Sequence, residues 1–142
     1  MHIESGDHGS LAGKSILLVD DDPENLAPLK IFLENEQADV SAVESATEAL
    51  RHLAERDFHL IITDIGMPDI DGYQLVERVR ANSTGRNAEV KAIAVTAYAS
   101  VDDRQRAFAS GFQAHLAKPI NFDELLATIQ RVSRNGDAIV KN

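Results

Sequence analysis

LIITDIGMPDIDG, residues 60 to 72, opens as an apolar run, stops on the carboxylate Asp64, and continues through eight loop residues that hold two more acids, Asp69 and Asp71. An uninterrupted apolar run this short, rich in β-branched residues and bounded by polar ones, reads as a strand buried on both faces. With its lead-in the strand is predicted over Phe58 to Asp64. Beyond the loop, YQLVERVRAN carries Leu75, Val76 and Val79 at helical spacing. Strand, loop and helix in this order form half of a crossover unit. Whether the unit repeats decides the fold.

It repeats in both directions. SILLVD (15–20) is a second buried run, followed by Asp22-Pro23, an N-cap with proline at the first helical position. Leu26, Leu29, Phe32 and Leu33 supply that helix with an inner stripe, and Pro28 inside it predicts a kink or a late start. ADVSAV (38–43) is a weaker strand. SATE (45–48) reads as a capping box before Ala49, Leu50, Leu53 and Ala54. VKAIAVT (90–96) is a fourth strand, and Ser100 with Asp103 caps a helix that closes at Gly111. QAHLAK (113–118) is the fifth strand, and Asn121 with Glu124 starts a last helix carrying Leu125, Leu126 and Ile129. Five strands alternating with five helices predict an α/β fold, a doubly wound five-stranded parallel sheet. The flavodoxin-like strand order 2-1-3-4-5 is expected, with ligands beyond the carboxyl ends of the strands.

Composition narrows the function. The chain has 142 residues and a net charge of −9, which argues against direct nucleic-acid binding because neutralising phosphates needs a basic face. No apolar run approaches membrane-span length, and the N-terminus lacks the order of a signal peptide, so a soluble, cytoplasmic protein without membrane insertion is expected. Cysteine is absent, which excludes disulfides, a thiolate nucleophile and zinc–cysteine sites. A bound metal would have to be held by oxygen or imidazole.

Four of the five predicted strands end on chemically useful residues: Asp20 and Asp21 on the first, Asp64 on the third, Thr96 on the fourth, and Lys118, before Pro119, on the fifth. In the expected order the first and third strands are neighbours, so three carboxylates meet. Each pair repels by about 4 kcal/mol at roughly 4 Å and an effective dielectric near 20. Such a cluster either protonates or binds a cation, and oxygen-only ligation with few carboxylates suits Mg2+. A hard cation beside a carboxylate nucleophile is equipment for phosphoryl transfer. Lys118 and Thr96 offer a positive charge and a hydroxyl to phosphoryl oxygens.

VDD (19–21), TDIGMPDIDG (63–72), VTA (95–97) and KP (118–119) together resemble the receiver domain of two-component response regulators, over about Lys14 to Val132. The resemblance implies a phosphoprotein of phosphorelay signalling, a switch more than a turnover enzyme. Asp64 would be phosphorylated by a histidine kinase or histidine phosphotransfer protein. Asp21, Asp64 and the Gly66 backbone carbonyl would ligate Mg2+, with Asp20 acting mainly through water. Lys118 would pair with the phosphate, its bond to Pro119 would be cis, and Thr96 would turn inward, altering the surface of the fourth helix, fifth strand and fifth helix. His115 departs from the family pattern, since receivers commonly carry tyrosine or phenylalanine there as a partner of the threonine. Gly66 and Tyr98 occupy positions that in the family tune hydrolysis of the acyl phosphate.

Other readings fit less of the chain. GSLAGKS (9–15) resembles a nucleotide-binding P-loop, but it is one residue short, has His8 where the first glycine belongs, and precedes the first strand. MPDIDG lacks the alternating acids of a calcium loop. A receiver-like docking module without phosphotransfer is the remaining alternative. His2, His8, His52 and His59 show no ligand spacing, and His115 alone reads first as a partly buried strand residue. Residues 1–13 are expected to be a flexible leader or linker, 14–132 the receiver domain and 133–142 a tail too short for an output domain. DIGMPDIDGYQL and AYAS…GFQAHLAKP are similar to receivers of hybrid histidine kinases, from which this one could be excised.

Overall fold

The structure is a computed structural model and describes residues 9–97 and 100–141, with side chains through Arg134. His2, His8 and Tyr98 lie outside the described residues, as does the leader from Met1 to His8. Strands and helices alternate throughout: β1 Ser15–Val19, α1 Pro23–Asn35, β2 Asp39–Val43, α2 Ala46–Glu55, β3 Leu60–Asp64, α3 Gly72–Ala81, β4 Lys91–Thr96, α4 Val101–Ser110, β5 Ala114–Ala117 and α5 Phe122–Lys141. All strand pairs are parallel, in the expected order β2-β1-β3-β4-β5.

Alternation along the strands divides the core. Ile16, Leu18, Leu60, Ile62, Ile93 and Val95 pack against α1 and α5, whereas Leu17, Val19, Ile61, Ala92 and Ala94 face α2, α3 and Ala107 of α4. Each strand is shorter than the stretch predicted for it, and Asp20 and Lys118 fall just past the ends. Both keep one ladder bond, from Asp20 N–H to the Val43 carbonyl (3.2 Å) and from Lys118 N–H to the Thr96 carbonyl (2.8 Å). The sheet therefore still fixes their backbones.

The helix starts follow side-chain chemistry. Asp22 caps α1 by accepting the Glu24 N–H at 2.9 Å, and the helix runs from Pro23 through Pro28, so the late start predicted from Pro28 is not realised. Burial of Leu26, Leu29 and Leu33 offsets the backbone bond that Pro28 removes. Ser45 caps α2, but Glu48 reaches the N–H of Glu44 instead of closing the box on Ser45. Ser100 and Asp103 form a full box on α4, and Gly111 ends that helix with φ 112°. Asn121 accepts the Glu124 N–H at 2.9 Å and starts α5.

Packing reaches back into the stretch assigned to the leader. Leu11 is 1% exposed, and its N–H bonds the Glu36 carbonyl beyond α1. At the other end, α5 extends to Lys141, through the segment assigned to a tail. No described helix is long and apolar enough to cross a membrane.

Candidate functional site

β1 and β3 are hydrogen-bonded neighbours, with Val19 beside Thr63, so the residues that follow them meet at the carboxyl edge of the sheet. Asp20, Asp21 and Asp64 each offer a carboxylate oxygen within 4.8 Å of the others. Asp20 and Asp64 are buried and Asp21 is exposed. From the far side of the sheet, Lys118 brings its ammonium to 3.1 Å from Asp64 Oδ1 and 3.5 Å from Asp20 Oδ2. The Lys118-Pro119 bond is cis. The ammonium contacts two of the three carboxylates, and the all-oxygen donor set at this spacing fits a hard divalent cation.

The crowding of charge shifts two of these groups. Burial pushes the Asp20 carboxyl above its ordinary range, against the pull of the Asp22 backbone hydrogen bond, and the charge of Asp64 pushes it further. Burial also works against the Lys118 charge. Its hydrogen bonds and charge contacts with Asp64 and Asp20 outweigh that cost and hold its pKa above the usual lysine value.

The loop after β3 aims Asp64. The Gly72 N–H donates to the Ile65 carbonyl at 3.0 Å, and Thr63 Oγ1 donates to the Asp64 carbonyl oxygen at 2.9 Å. A Cβ on Gly72 would lie 2.6 Å from that oxygen and 2.9 Å from Ile65 Cα. Asp71 then caps α3 in a reciprocal box with Gln74, while Asp69 occupies the loop with φ 66°. Neither joins the cluster. Gly66 is exposed two residues past Asp64, with open space where a side chain would stand.

Thr96 is buried at the end of β4, in register with Ala117. Strand alternation gives it the parity of Ala94, facing the α3 and α4 layer, whereas Asp64 shares the parity of Ile62 on the opposite face. His115 on β5 has the same facing as Thr96. It is half-buried, its Nε2 has no hydrogen-bond partner among the described residues, and burial lowers its pKa, with Asp103 of α4 opposing and Arg104 adding to the shift.

Two features were not anticipated from the residue pattern. Asn25, in the first turn of α1, donates its side-chain amide to Asp20 Oδ2 at 3.3 Å. Helical side chains lean toward the N-terminus, so a polar residue five positions after Asp20 was a readable signal. A cavity of about 460 Å3 also opens beside Asp64 and Lys118, walled by Leu29 of α1, Ile120 and Phe122. Its walls come from distant segments, and no local pattern marks it.

Residues 16–130 match the family model described as the response regulator receiver domain. The chain belongs to that family. An uncharacterized 14.6 kDa protein of Leptolyngbya boryana is 42% identical over 86% of this receiver and 92% of its own length. A CheY-like response regulator receiver domain protein from Methanospirillum hungatei JF-1 superposes with a TM-score of 0.79 at 32% identity, covering 88% of this chain and 97% of that one. The receiver domain of Ssk1 from Saccharomyces cerevisiae, solved with the histidine phosphotransfer protein Ypd1, gives a TM-score of 0.78 at 25% identity, with 89% and 92% covered. Several other curated relatives are longer, and the chain spans 13% to 51% of their length.

Proposed function

We propose that this receiver is a phosphorylation switch that takes a phosphoryl group onto Asp64 from the phosphohistidine of a histidine kinase or histidine phosphotransfer protein. The observation that carries the reading is the convergence of Asp64 with Asp20, Asp21 and Lys118 at one edge of the sheet. In the transfer an Asp64 carboxylate oxygen attacks phosphorus. The new O–P bond forms as the donor's P–N bond breaks, and the leaving imidazole is neutralised by a proton.

Asp21, Asp64 and the Gly66 carbonyl would hold Mg2+, with Asp20 acting through water. When bound, the ion offsets the negative charge of the acids and of the phosphoryl oxygens. Lys118, already 3.1 Å from Asp64, is placed to follow the charge onto a phosphoryl oxygen. Buried Asp20 and Asp64 limit water around the reacting group. Thr96 and His115 share the face of the sheet that carries α4, so a shift of the threonine hydroxyl toward the phosphoryl group would be felt there. Val101 and Phe108, 59% and 54% exposed and seven residues apart on α4, are candidates for the surface that changes. Partner docking through this surface, in a cytoplasmic phosphorelay, completes the reading.

Incubation with phosphoramidate and Mg2+, followed by intact mass measurement, tests it. Wild type is expected to gain one phosphoryl group, and Asp64→Asn none. Equal labelling of Asp64→Asn would remove Asp64 as the acceptor. An unlabelled wild type would favour a docking module.

A further inference from the structure

Asp20 is held by more donors than its supporting role requires. Its Oδ1 accepts the Asp22 backbone N–H at 2.9 Å, and its Oδ2 receives both the Asn25 amide at 3.3 Å and the Lys118 ammonium at 3.5 Å. A carboxylate has about four lone-pair positions, so little remains of Asp20 for direct coordination of a cation. The three donors differ in permanence. Asp22 N–H is fixed by the backbone, but Lys118 is shared with Asp64 and is drawn away when a phosphoryl group arrives. Asn25 cannot follow it, because its Cα is anchored in the first turn of α1, where its own N–H bonds the Asp22 carbonyl at 3.0 Å. Once Lys118 turns, Asn25 is the side chain that still orients Oδ2.

We propose that Asn25 is a positioning residue for the cation site: its side-chain amide holds Asp20 in the orientation that supports a hydrated Mg2+ ligated by Asp21 and Asp64. The proposal rests on the receiver reading and adds to it a residue on α1. Neighbours of metal ligands that hold them in place typically change affinity by roughly 10- to 100-fold when removed. Since Asn25 is exposed, the lower end of that range applies.

Melting temperature as a function of Mg2+ concentration, without any phosphodonor, gives the half-saturating concentration for wild type, Asn25→Ala and Asn25→Gln. Half-saturation is expected to rise about tenfold in Asn25→Ala. Asn25→Gln, which keeps a side-chain amide, is expected to recover most of it. Labelling by phosphoramidate at saturating Mg2+ should then run within about twofold of wild type, since the defect lies in filling the site. A purely structural role for Asn25 would lower the metal-free melting temperature of both variants and leave half-saturation where it was. That result overturns the proposal, as does an Asn25→Gln variant no better than Asn25→Ala. A wild type that ignores Mg2+ would remove the Mg2+-dependent phosphoacceptor reading and the proposal with it, a failure distinguishable from the other two.

Discussion

His115 takes the place where the resemblance to receivers implies tyrosine or phenylalanine, and an imidazole there has an energetic signature. A neutral imidazole offers one donor and one acceptor, and here the buried Nε2 has no partner among the described residues. Leaving such a group unpaired costs about 1–3 kcal/mol. Burial also lowers the imidazole pKa below 6.5. As pH falls through that value, the unfolded chain takes up the proton first. The stability contributed by neutral His115 is therefore complete above about 6.5 and is lost as pH falls toward the folded value. Urea unfolding at about pH 7.5 and about pH 5.5 should show wild type losing more stability than His115→Phe. Parallel losses would place the acid sensitivity elsewhere. Gly72 is constrained differently. Its backbone φ is not the issue, since among the described glycines only Gly13 and Gly111 have positive φ. Contact is the issue: a Cβ would press on the carbonyl oxygen of Asp64 and on Ile65 Cα, and no side-chain rotation relieves a backbone clash. Gly72→Ala is expected to cost about 2 kcal/mol in urea unfolding and to slow labelling of Asp64, because the atom displaced belongs to the nucleophile's own residue. Unchanged stability would mean that the loop yields freely.

Asn87 and Arg80 are among the side chains that reach main-chain groups at the end of the sheet opposite the acids. Asn87 accepts the Phe58 N–H at 2.9 Å and donates to the carbonyls of Leu53 (2.7 Å) and Arg56 (2.8 Å), tying the end of α2 to the lead-in of β3. Arg80, in the last turn of α3, donates to the carbonyls of Gly111 (2.7 Å) and Ala88 (3.0 Å). It thereby joins α3 to the lead-in of β4 and to the cap of α4. Gly111 makes room, since a Cβ there would lie 2.9 Å from Arg80 Nε. Arg80→Ala is expected to lower the free energy of unfolding by about 2 kcal/mol, with the labelling rate of Asp64 intact. Arg80→Lys should recover little, because a single ammonium cannot reproduce the fork that spans carbonyls on two segments. A lysine variant as stable as wild type would show that charge alone matters. Neither clasp could be read in the sequence. Asn87 and Arg80 pair with carbonyls up to 34 and 31 residues away, and a carbonyl looks the same at every position. Helix caps were readable because their partners lie two or three residues off.

Period and position carried the global reading. Apolar runs at regular intervals give the alternation, and the requirement that parallel strands share one direction places Asp20, Asp21, Asp64 and Lys118 on a common edge. Leu11 escaped because one leucine after a polar leader has no periodicity, although its burial beside Glu36 adds to the α1 and α5 layer. The continuous α1 escaped because a penalty at Pro28 is local, whereas the packing that outweighs it is not. The same division governs the acid cluster: its charges are written in the sequence, but their cost depends on how little of Asp20 and Asp64 the fold leaves in water. Only the folded chain assembles the three oxygens, so a cation that binds them must stabilise the fold by RT ln(1 + [L]/Kd). At ten times Kd this is about 1.4 kcal/mol, which for a domain of this size raises the melting temperature by about 4 °C. Mg2+ should produce that shift at constant ionic strength, where general screening by salt is held fixed. Asp21→Ala should abolish it, because exposed Asp21 contributes little to the fold and its loss leaves Asp64 and Asp20 without their third partner. An equal shift in Asp21→Ala would mean that the ion acts on the net charge of −9 as a whole and not at this edge of the sheet.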